Sequence, residues 1–445
     1  MPYDKQGQLG KGGFGIVYEA VDELGLIYAL KEFAPDPSIQ VDEGHLKERF
    51  RREAVYQQKI DHPNVVKIIE FHDGNVPFIV MELASISLKR YLDNNKDITH
   101  EQRVSIIRDM LSGLESVHEA QCTHRDLKPE NVLGFLDEKS PTGYKFKISD
   151  FGLVAPPSHA ETTLTMTGMA GGSTYYASPE AMKSMNRCDA RSDIYSMGAI
   201  IFDLFIGKPR VPLAHLKAPG EIGKVASRCT ETNPSKRYQT IAALREDFLA
   251  AADLDEWKPS NATEARYLEI LQKDEPSEEE WDELDIDLQE LLQAGDIRDG
   301  AYPLFRALKS DHLQQLKLMN DGVFRSIANG FSEHVLAARG WFNFDYCDVA
   351  AGKFRRIVEL GGAEEKAKAL LALLVLGASH NRYYVERIFG NNSGPSQDDE
   401  TIDRLILEAA ARGEDLGDWL NDWNNSLNRN TTTLHPIFTA FIHED

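Results

Sequence analysis

Asp126 and Asn131, in the run His124-Arg125-Asp126-Leu127-Lys128-Pro129-Glu130-Asn131, and Asp150, at the head of Asp150-Phe151-Gly152, are the side chains of this sequence best placed to do chemistry. Phosphoryl transfer needs a carboxylate near the acceptor hydroxyl and metal ligands that gather charge between phosphates, with little covalent help, and these three side chains are of the right types. Lys128 adds a cation two residues after Asp126. The run is polar between apolar stretches, with the helix-period pattern Ile106 to Val117 before it and Val132-Leu133 after it. Such a segment reads as a loop displayed on a rigid scaffold, where reactive groups are usually placed.

Together the two motifs resemble the protein-kinase signature H-R-D-L-x-x-x-N plus D-F-G. The resemblance implies that Asp126 is the catalytic base and that Asn131 and Asp150 are the metal ligands, for Mg²⁺ with Mn²⁺ as the alternative. It also implies ATP as donor and Lys128 beside the transferred phosphoryl, as in the serine/threonine branch.

The elements that must position these groups follow from the N-terminus. Gly10-Lys11-Gly12-Gly13-Phe14-Gly15-Ile16-Val17 is a G-x-G-x-x-G-x-V run, whose glycines allow a backbone to approach phosphates closely. In a dinucleotide fold a helix should come next. Here Ile16 to Val21 and Leu26 to Lys31 are β-branched and aromatic runs separated by the turn-prone Asp22-Glu23-Leu24-Gly25, which predicts antiparallel hairpins. The resemblance makes this the small lobe of a kinase. It places Gly10, Gly12, Gly13 and Gly15 over the phosphates and Lys31 in contact with them, with Val17, Ala29 and Leu133 around the adenine. Residues 45–60 carry strong helix formers, and Glu53 stands where the family's C-helix glutamate pairs with the strand lysine. Glu48 competes for that role. Glu53 is preferred because Asp61-His62-Pro63-Asn64-Val65-Val66-Lys67 follows it at the family's spacing. One turn beyond Glu53 the family usually places an apolar residue in a stacked hydrophobic spine, and this chain has Gln57, which predicts a weakened spine.

Phe78 to Ala84 reads as a buried strand running into a linker that resembles the family's interlobe hinge, and the resemblance implies Met81 behind the adenine and the backbone of Glu82 and Ala84 at its edge. A long amphipathic helix is predicted over 98–119, with Thr99 and Gln102 at capping-box spacing. After Asp150-Phe151-Gly152, Leu153 to Ser173 lacks apolar periodicity and resembles an activation segment. Its threonines include Thr162, Thr163, Thr165 and Thr167; the last two have the Thr-x-Thr spacing of bacterial family members and are the expected phosphorylation sites, with Arg125 as a cation for the phosphate. Gly172 to Glu180 resembles the Gly-Thr-x-x-Tyr-x-Ala-Pro-Glu ending, with Ser173 in place of the usual threonine. The resemblance also implies that Asp193 holds the catalytic-loop backbone and that Arg237 pairs with Glu180. Gly207 to Glu221 is rich in proline and glycine, with room for at most a rudimentary helix where kinases generally carry a docking helix. The resemblance spans about residues 1–250.

A chain of 445 residues has length for two or three domains. Its 42% hydrophobic and 27% charged residues exclude dominant disorder. Cys122, Cys188, Cys229 and Cys347 are scattered, giving neither a disulfide framework nor a zinc-ligand spacing. No charged-then-apolar leader opens the sequence, and Ala369 to Leu376, the longest apolar run, is far short of the ~20 residues that span a bilayer. A cytoplasmic protein is expected. Residues 1–250 hold 30 basic and 34 acidic side chains and residues 251–445 hold 19 and 37, so the net charge of −22 belongs mostly to the C-terminal part. That surface repels nucleic-acid phosphates and anionic membranes.

From Asp253 to Asp299 the count is 17 acidic against 4 basic residues, with Ser277-Glu278-Glu279-Glu280 as a capping box, which reads as an acidic linker with short helices over 253–300. Over 301–445, Ala367, Leu370, Leu371 and Leu374 and then Ile402, Leu405, Ile406 and Ala409 recur at helix period. The expected fold is therefore α+β: a bilobal kinase-like domain over 1–252, with a β-rich N-lobe and a helical C-lobe, followed by an all-α regulatory or interaction domain. The expected function is a serine/threonine protein kinase that acts on protein substrates and on itself, with a regulatory protein as a partner of the helical domain. A pseudokinase scaffold and a kinase of small molecules on the same fold are the alternatives.

Overall fold

The computed structural model of the protein describes residues 3–37, 42–150, 175–183, 188–338, 342, 344–380, 383–427 and 434–442. They divide into two compact units, Met1–Arg245 and Glu246–Asp445.

The first unit opens on a five-stranded antiparallel sheet in the order β1-β2-β3-β5-β4, formed by β1 (Tyr3–Lys11), β2 (Gly15–Asp22), β3 (Ile27–Phe33), β4 (Ile68–His72) and β5 (Phe78–Met81). The predicted turn forms between β2 and β3: Gly25 takes a φ of 83°, and Asp22 Oδ1 accepts from the N–H groups of Leu24 and Leu26. Val17 pairs with Lys31, Lys31 with Ile79 and Ala29 with Met81. Side chains alternate along a strand and match across a pair, so these five residues share one face of the sheet. Gly15 is required where β2 leaves the glycine-rich loop, because a Cβ there would lie 2.5 Å from the Glu32 carbonyl oxygen. Helix α1 (Glu43–Gln57), capped by Asp42, buries Leu46, Phe50, Glu53, Ala54 and Gln57 along one stripe.

The rest of the unit is mainly helical. Strands β6 (Ile86–Ser87), β7 (Val132–Leu136) and β8 (Tyr144–Ile148) form a small sheet, and the helices are α2 (Leu88–Asn94), α3 (His100–Glu119), α4 (Pro179–Lys183), α5 (Ala190–Phe205), α6 (Glu221–Cys229) and the start of α7 (Ile241–Glu256). Both halves of the Thr99–Gln102 capping box are present, and α3 buries Val104, Ile107, Met110, Leu111, Leu114 and Val117. No helix forms between Phe205 and Glu221. Proline removes helix donors from that stretch and glycine favours turns; Arg210 holds it instead, with its guanidinium on both Asp203 oxygens and on the Tyr175 carbonyl.

Within the second unit, α8 (Ala262–Leu271), α9 (Glu278–Ala294), α10 (Tyr302–Ala307), α11 (Ser310–Met319), α12 (Asp321–Ala337), α13 (Phe344–Leu360), α14 (Ala363–His380), α15 (Tyr383–Asn392), α16 (Asp399–Ala411) and α17 (Leu416–Leu427) follow one another, and its described residues hold no strand. Helix α14 is the hub. Every residue from Ala369 to Gly377 is buried, and the helix packs against α12, α13, α15, α16 and α17, as a helix apolar all round must. The acidic stretch read as a linker contributes Tyr267, Ile270, Leu271, Trp281, Leu284 and Leu288 to the same core. Among the described residues no helix is long and apolar enough to cross a membrane.

Candidate active site

Lys31, from the middle of the sheet, is the centre of the site. Its Nζ donates to Glu53 Oε1 at 2.5 Å and to Asp150 Oδ1 at 2.7 Å, joining β3 to α1 and to the segment after β8. Burial disfavours the ammonium, but the Asp150 and Glu53 carboxylates outweigh it and hold Lys31 above the usual lysine range. Burial also pushes the Glu53 carboxyl up, to about 7, against the pull of Lys31. Asp150 feels the same burial, yet the Lys31 ammonium draws it down to about 2. One lysine thus serves two carboxylates and favours the ionised form of Asp150. Glu53 makes the bond to Lys31, whereas Glu48 is exposed and meets Arg51 and Arg52 on the helix surface.

The loop after α3 is held from below by Asp193 on α5. Its buried carboxylate accepts from the backbone N–H groups of His124 and Arg125, each at 2.8 Å, and meets His118 Nε2 at 2.8 Å. Burial would raise its pKa, but the His118 hydrogen bond and neighbouring positive charge lower it below the usual aspartate range. These bonds fix Arg125 at a φ of 68°, and Asp150 sits at 63°. Left-handed backbone in a non-glycine residue costs about 1–3 kcal/mol and persists where surroundings over-determine it. Asp126, so presented, receives Lys128 Nζ at 2.7 Å on Oδ2; Asn131 Nδ2 donates to the Asp126 carbonyl at 2.8 Å and to Oδ2 at 3.2 Å. The Asn131 carbonyl accepts from the Ser149 N–H at 2.9 Å, tying the loop to the residue before Asp150.

Lys31, Glu53, Asn131 and Asp150 border a cavity of about 410 Å³. Of the residues expected there, Gly10, Val17, Ala29, Lys31, Glu53, Met81, Glu82, Ala84, Asn131, Leu133 and Asp150 line it. Gly12, Gly13 and Gly15 belong to the hairpin between β1 and β2 and do not line it, nor do Asp126 and Lys128, although Asp126 is hydrogen-bonded to the lining residue Asn131. The lining also includes Leu9, Gln57, Glu130 and Arg90, which the motifs did not single out as site residues. The Glu82 side chain is engaged elsewhere, by Lys147 Nζ at 2.7 and 2.8 Å and by the Lys67 N–H at 2.8 Å. Arg49 was also missed: it lies over the Phe14 ring at 4.5 Å, and burial lowers its pKa to about 10. A cation one turn before Glu53 carries no motif.

Arg237 meets Glu180 through two parallel hydrogen bonds, Nη1 to Oε1 at 2.6 Å and Nη2 to Oε2 at 2.8 Å, and also donates to the carbonyls of Glu231 and Arg191. Phe151, Gly152, Thr165, Thr167 and Ser173 lie outside the described residues.

A β-rich lobe over a helical lobe, with a lysine–glutamate–aspartate cluster at the cleft and an aspartate–lysine–asparagine loop beside it, defines the kinase class of fold. The protein kinase domain model matches residues 3–249. The chain belongs to the protein kinase family, in its bacterial eukaryotic-like branch. It is 30% identical over 270 residues to the serine/threonine-protein kinase PrkC of Bacillus subtilis, covering 56% of this chain and 40% of that protein. The probable serine/threonine-protein kinase PknB of Lactococcus lactis is 29% identical over 275 residues, 56% of this chain and 42% of its own length. The serine/threonine-protein kinase PknL of Mycobacterium tuberculosis is 31% identical over 274 residues, with coverage of 56% and 66%. The chain spans about two fifths of the length of the first two relatives.

Proposed function

We propose that the chain is a serine/threonine protein kinase that transfers the γ-phosphoryl of ATP to protein hydroxyls, including its own at Thr165 and Thr167. The observation that carries this reading is that the Lys31–Glu53–Asp150 cluster and Asn131 line one cavity, with Asn131 hydrogen-bonded to Asp126 and Asp126 to Lys128. The domain arrangement proposed with it is a catalytic domain over about 1–252 and helical residues after it that choose partners.

In this reading Val17, Ala29, Met81 and Leu133 enclose the adenine, and the backbone of Glu82 and Ala84 binds its edge. Lys31, kept charged and oriented by Glu53, takes the phosphates. Asp126 accepts the proton of the acceptor hydroxyl, and Lys128 offsets charge on the transferred group. The donor set of Asp150 carboxylate and Asn131 carboxamide oxygen suits a small hard cation that completes its shell with phosphates and water, so it fits Mg²⁺, with Mn²⁺ second. When bound, that ion neutralises phosphate charge. The alternatives of a scaffold without catalysis or a small-molecule kinase are less well supported, because the Lys31–Glu53 pair is made and Lys128 stands on Asp126.

Incubation with labelled ATP, Mg²⁺ and a protein mixture, beside Asp126→Asn, tests the reading. Label should enter protein on serine and threonine with the parent and fall to background with the variant. Equal incorporation by both removes Asp126 from the mechanism.

A further inference from the structure

Gln57 interrupts an apolar stripe. It lies one helical turn after Glu53 on the inward face of α1, is 4% exposed, and lines the nucleotide cavity behind Lys31. A buried carboxamide without a partner is costly, so such a residue survives where its donor is used. Gln57 Nε2 donates to the Val66 carbonyl at 2.7 Å.

Val66 is a junction. Its own N–H donates to the Ile148 carbonyl at 2.9 Å, the Ile148 N–H donates to the Asn64 carbonyl at 2.9 Å, and Val65 and Ile148 form a parallel bridge. Asn64 Nδ2 adds a bond to the Phe146 carbonyl at 3.0 Å. Beneath residues 64–66 lies Gly113 of α3, where a Cβ would stand 2.3 Å from the Asn64 carbonyl oxygen, so this segment rests directly on helix backbone. Ile148 ends β8, two residues before Asp150. A continuous set of hydrogen bonds therefore runs from the face of α1 that carries Glu53, through residues 64–66, to the strand that delivers Asp150, and both carboxylates close on Lys31.

We propose that Gln57 is a positioning residue, whose carboxamide sets the distance between α1 and the Asp150 strand and so fixes the Lys31–Glu53–Asp150 cluster for metal-nucleotide binding. The proposal rests on the kinase reading above for its activity arm. Its sign is opposite to that of an apolar spine. If packing alone held α1, leucine at 57 would improve the enzyme; if the hydrogen bond holds it, leucine of similar volume loosens the cluster.

The experiment compares the full chain with Gln57→Leu, and with the unbranched Gln57→Met should leucine fail to fold. Turnover at saturating ATP is expected to fall about tenfold, the order of one lost buried hydrogen bond. The Mg²⁺ concentration for half-maximal rate should rise several-fold, and metal-free ADP binding should stay as it was. Amide exchange in residues 43–57 and 64–66 should become faster at unchanged melting temperature. A variant as fast as the parent, with the same Mg²⁺ midpoint, overturns the proposal. Loss of rate that tracks a lowered melting temperature at unchanged Mg²⁺ midpoint overturns it too, because Gln57 would then be structural only. If the parent transfers no phosphoryl group, the kinase reading falls, and exchange with metal-dependent nucleotide binding still decides the role of Gln57.

Discussion

Lys31 Nζ lies 2.7 Å from Asp150 Oδ1, so the ammonium already holds the carboxylate proposed as a metal ligand. Asp126 is tied instead to Lys128 and Asn131. The two aspartates should therefore separate on substitution. Asp150→Asn is expected to weaken Mg-ATP binding by an order of magnitude or more. Asp126→Asn should leave that binding within about twofold while transfer falls about 10²–10⁴-fold, the usual range for a lost general base. Titration with a fluorescent nucleotide, with and without Mg²⁺, reads the difference; an Asp150→Asn protein that binds Mg-ATP like the parent removes the metal assignment.

The Glu180–Arg237 pair predicts stability rather than rate. Arg237 is 2% exposed, and burial raises the Glu180 carboxyl while the guanidinium hydrogen bonds lower it below the usual range. Removing one partner of a buried pair leaves the other charge unpaired and costs about 3–5 kcal/mol. Arg237→Met should therefore shift denaturant-induced loss of nucleotide binding to markedly lower concentration, and Arg237→Lys should recover only part of it, since an ammonium cannot replace the fork. A midpoint unchanged in Arg237→Met would show the pair to be energetically idle.

Much of this was legible in the sequence, and the reasons for the rest are physical. Lys31, Asp126, Asn131 and Asp150 are marked by motifs because the chemistry fixes both residue type and spacing. Gln57 was visible as a polar residue in an apolar stripe, but its partner is a backbone carbonyl, which no residue code reveals. Arg49 and Arg210 act through ring faces and main-chain oxygens and likewise leave no pattern. In the acidic stretch, charge counting concealed the stripe Trp281, Leu284 and Leu288, whose i, i+3, i+7 spacing defines one buried face of α9.

Two histidines make the second unit sensitive to acid. The Lys309 N–H donates to His312 Nδ1 at 3.2 Å and His312 Nε2 meets the Lys273 carbonyl at 2.9 Å, so both ring nitrogens are used by the neutral ring. Burial lowers the pKa of His312 and of His334 to about 4. The unfolded chain takes up protons near pH 6.5 and the folded one only near 4, so stability is fully present above about 6.5 and drains away as pH falls toward 4. All five tryptophans, Trp257, Trp281, Trp341, Trp419 and Trp423, lie after residue 245, so tryptophan fluorescence during urea unfolding of the full chain reports this unit alone. The midpoint should drop between pH 7 and pH 5, and His312→Gln should flatten the slope. A midpoint constant over that range refutes the prediction.

The last prediction concerns where the catalytic part ends. The two units divide between Arg245 and Glu246, inside α7, whereas the family match runs to residue 249 and the proposed domain to 252. Residues beyond the division already serve the second unit: Glu246 takes Arg355 at 2.6 Å, and Asp253 takes Arg306 at 2.6 Å. A chain of residues 1–252 keeps every proposed site residue and loses Arg306 and Arg355, the partners of Asp253 and Glu246. It should remain folded, bind Mg-ATP within about threefold of the full chain, and phosphorylate a generic acceptor, while any preference among protein partners is lost with the helices. Thermal unfolding and nucleotide titration of the truncated chain decide it. An insoluble product, or one that no longer binds nucleotide, would mean that the helices after residue 252 are part of the catalytic domain's own stability.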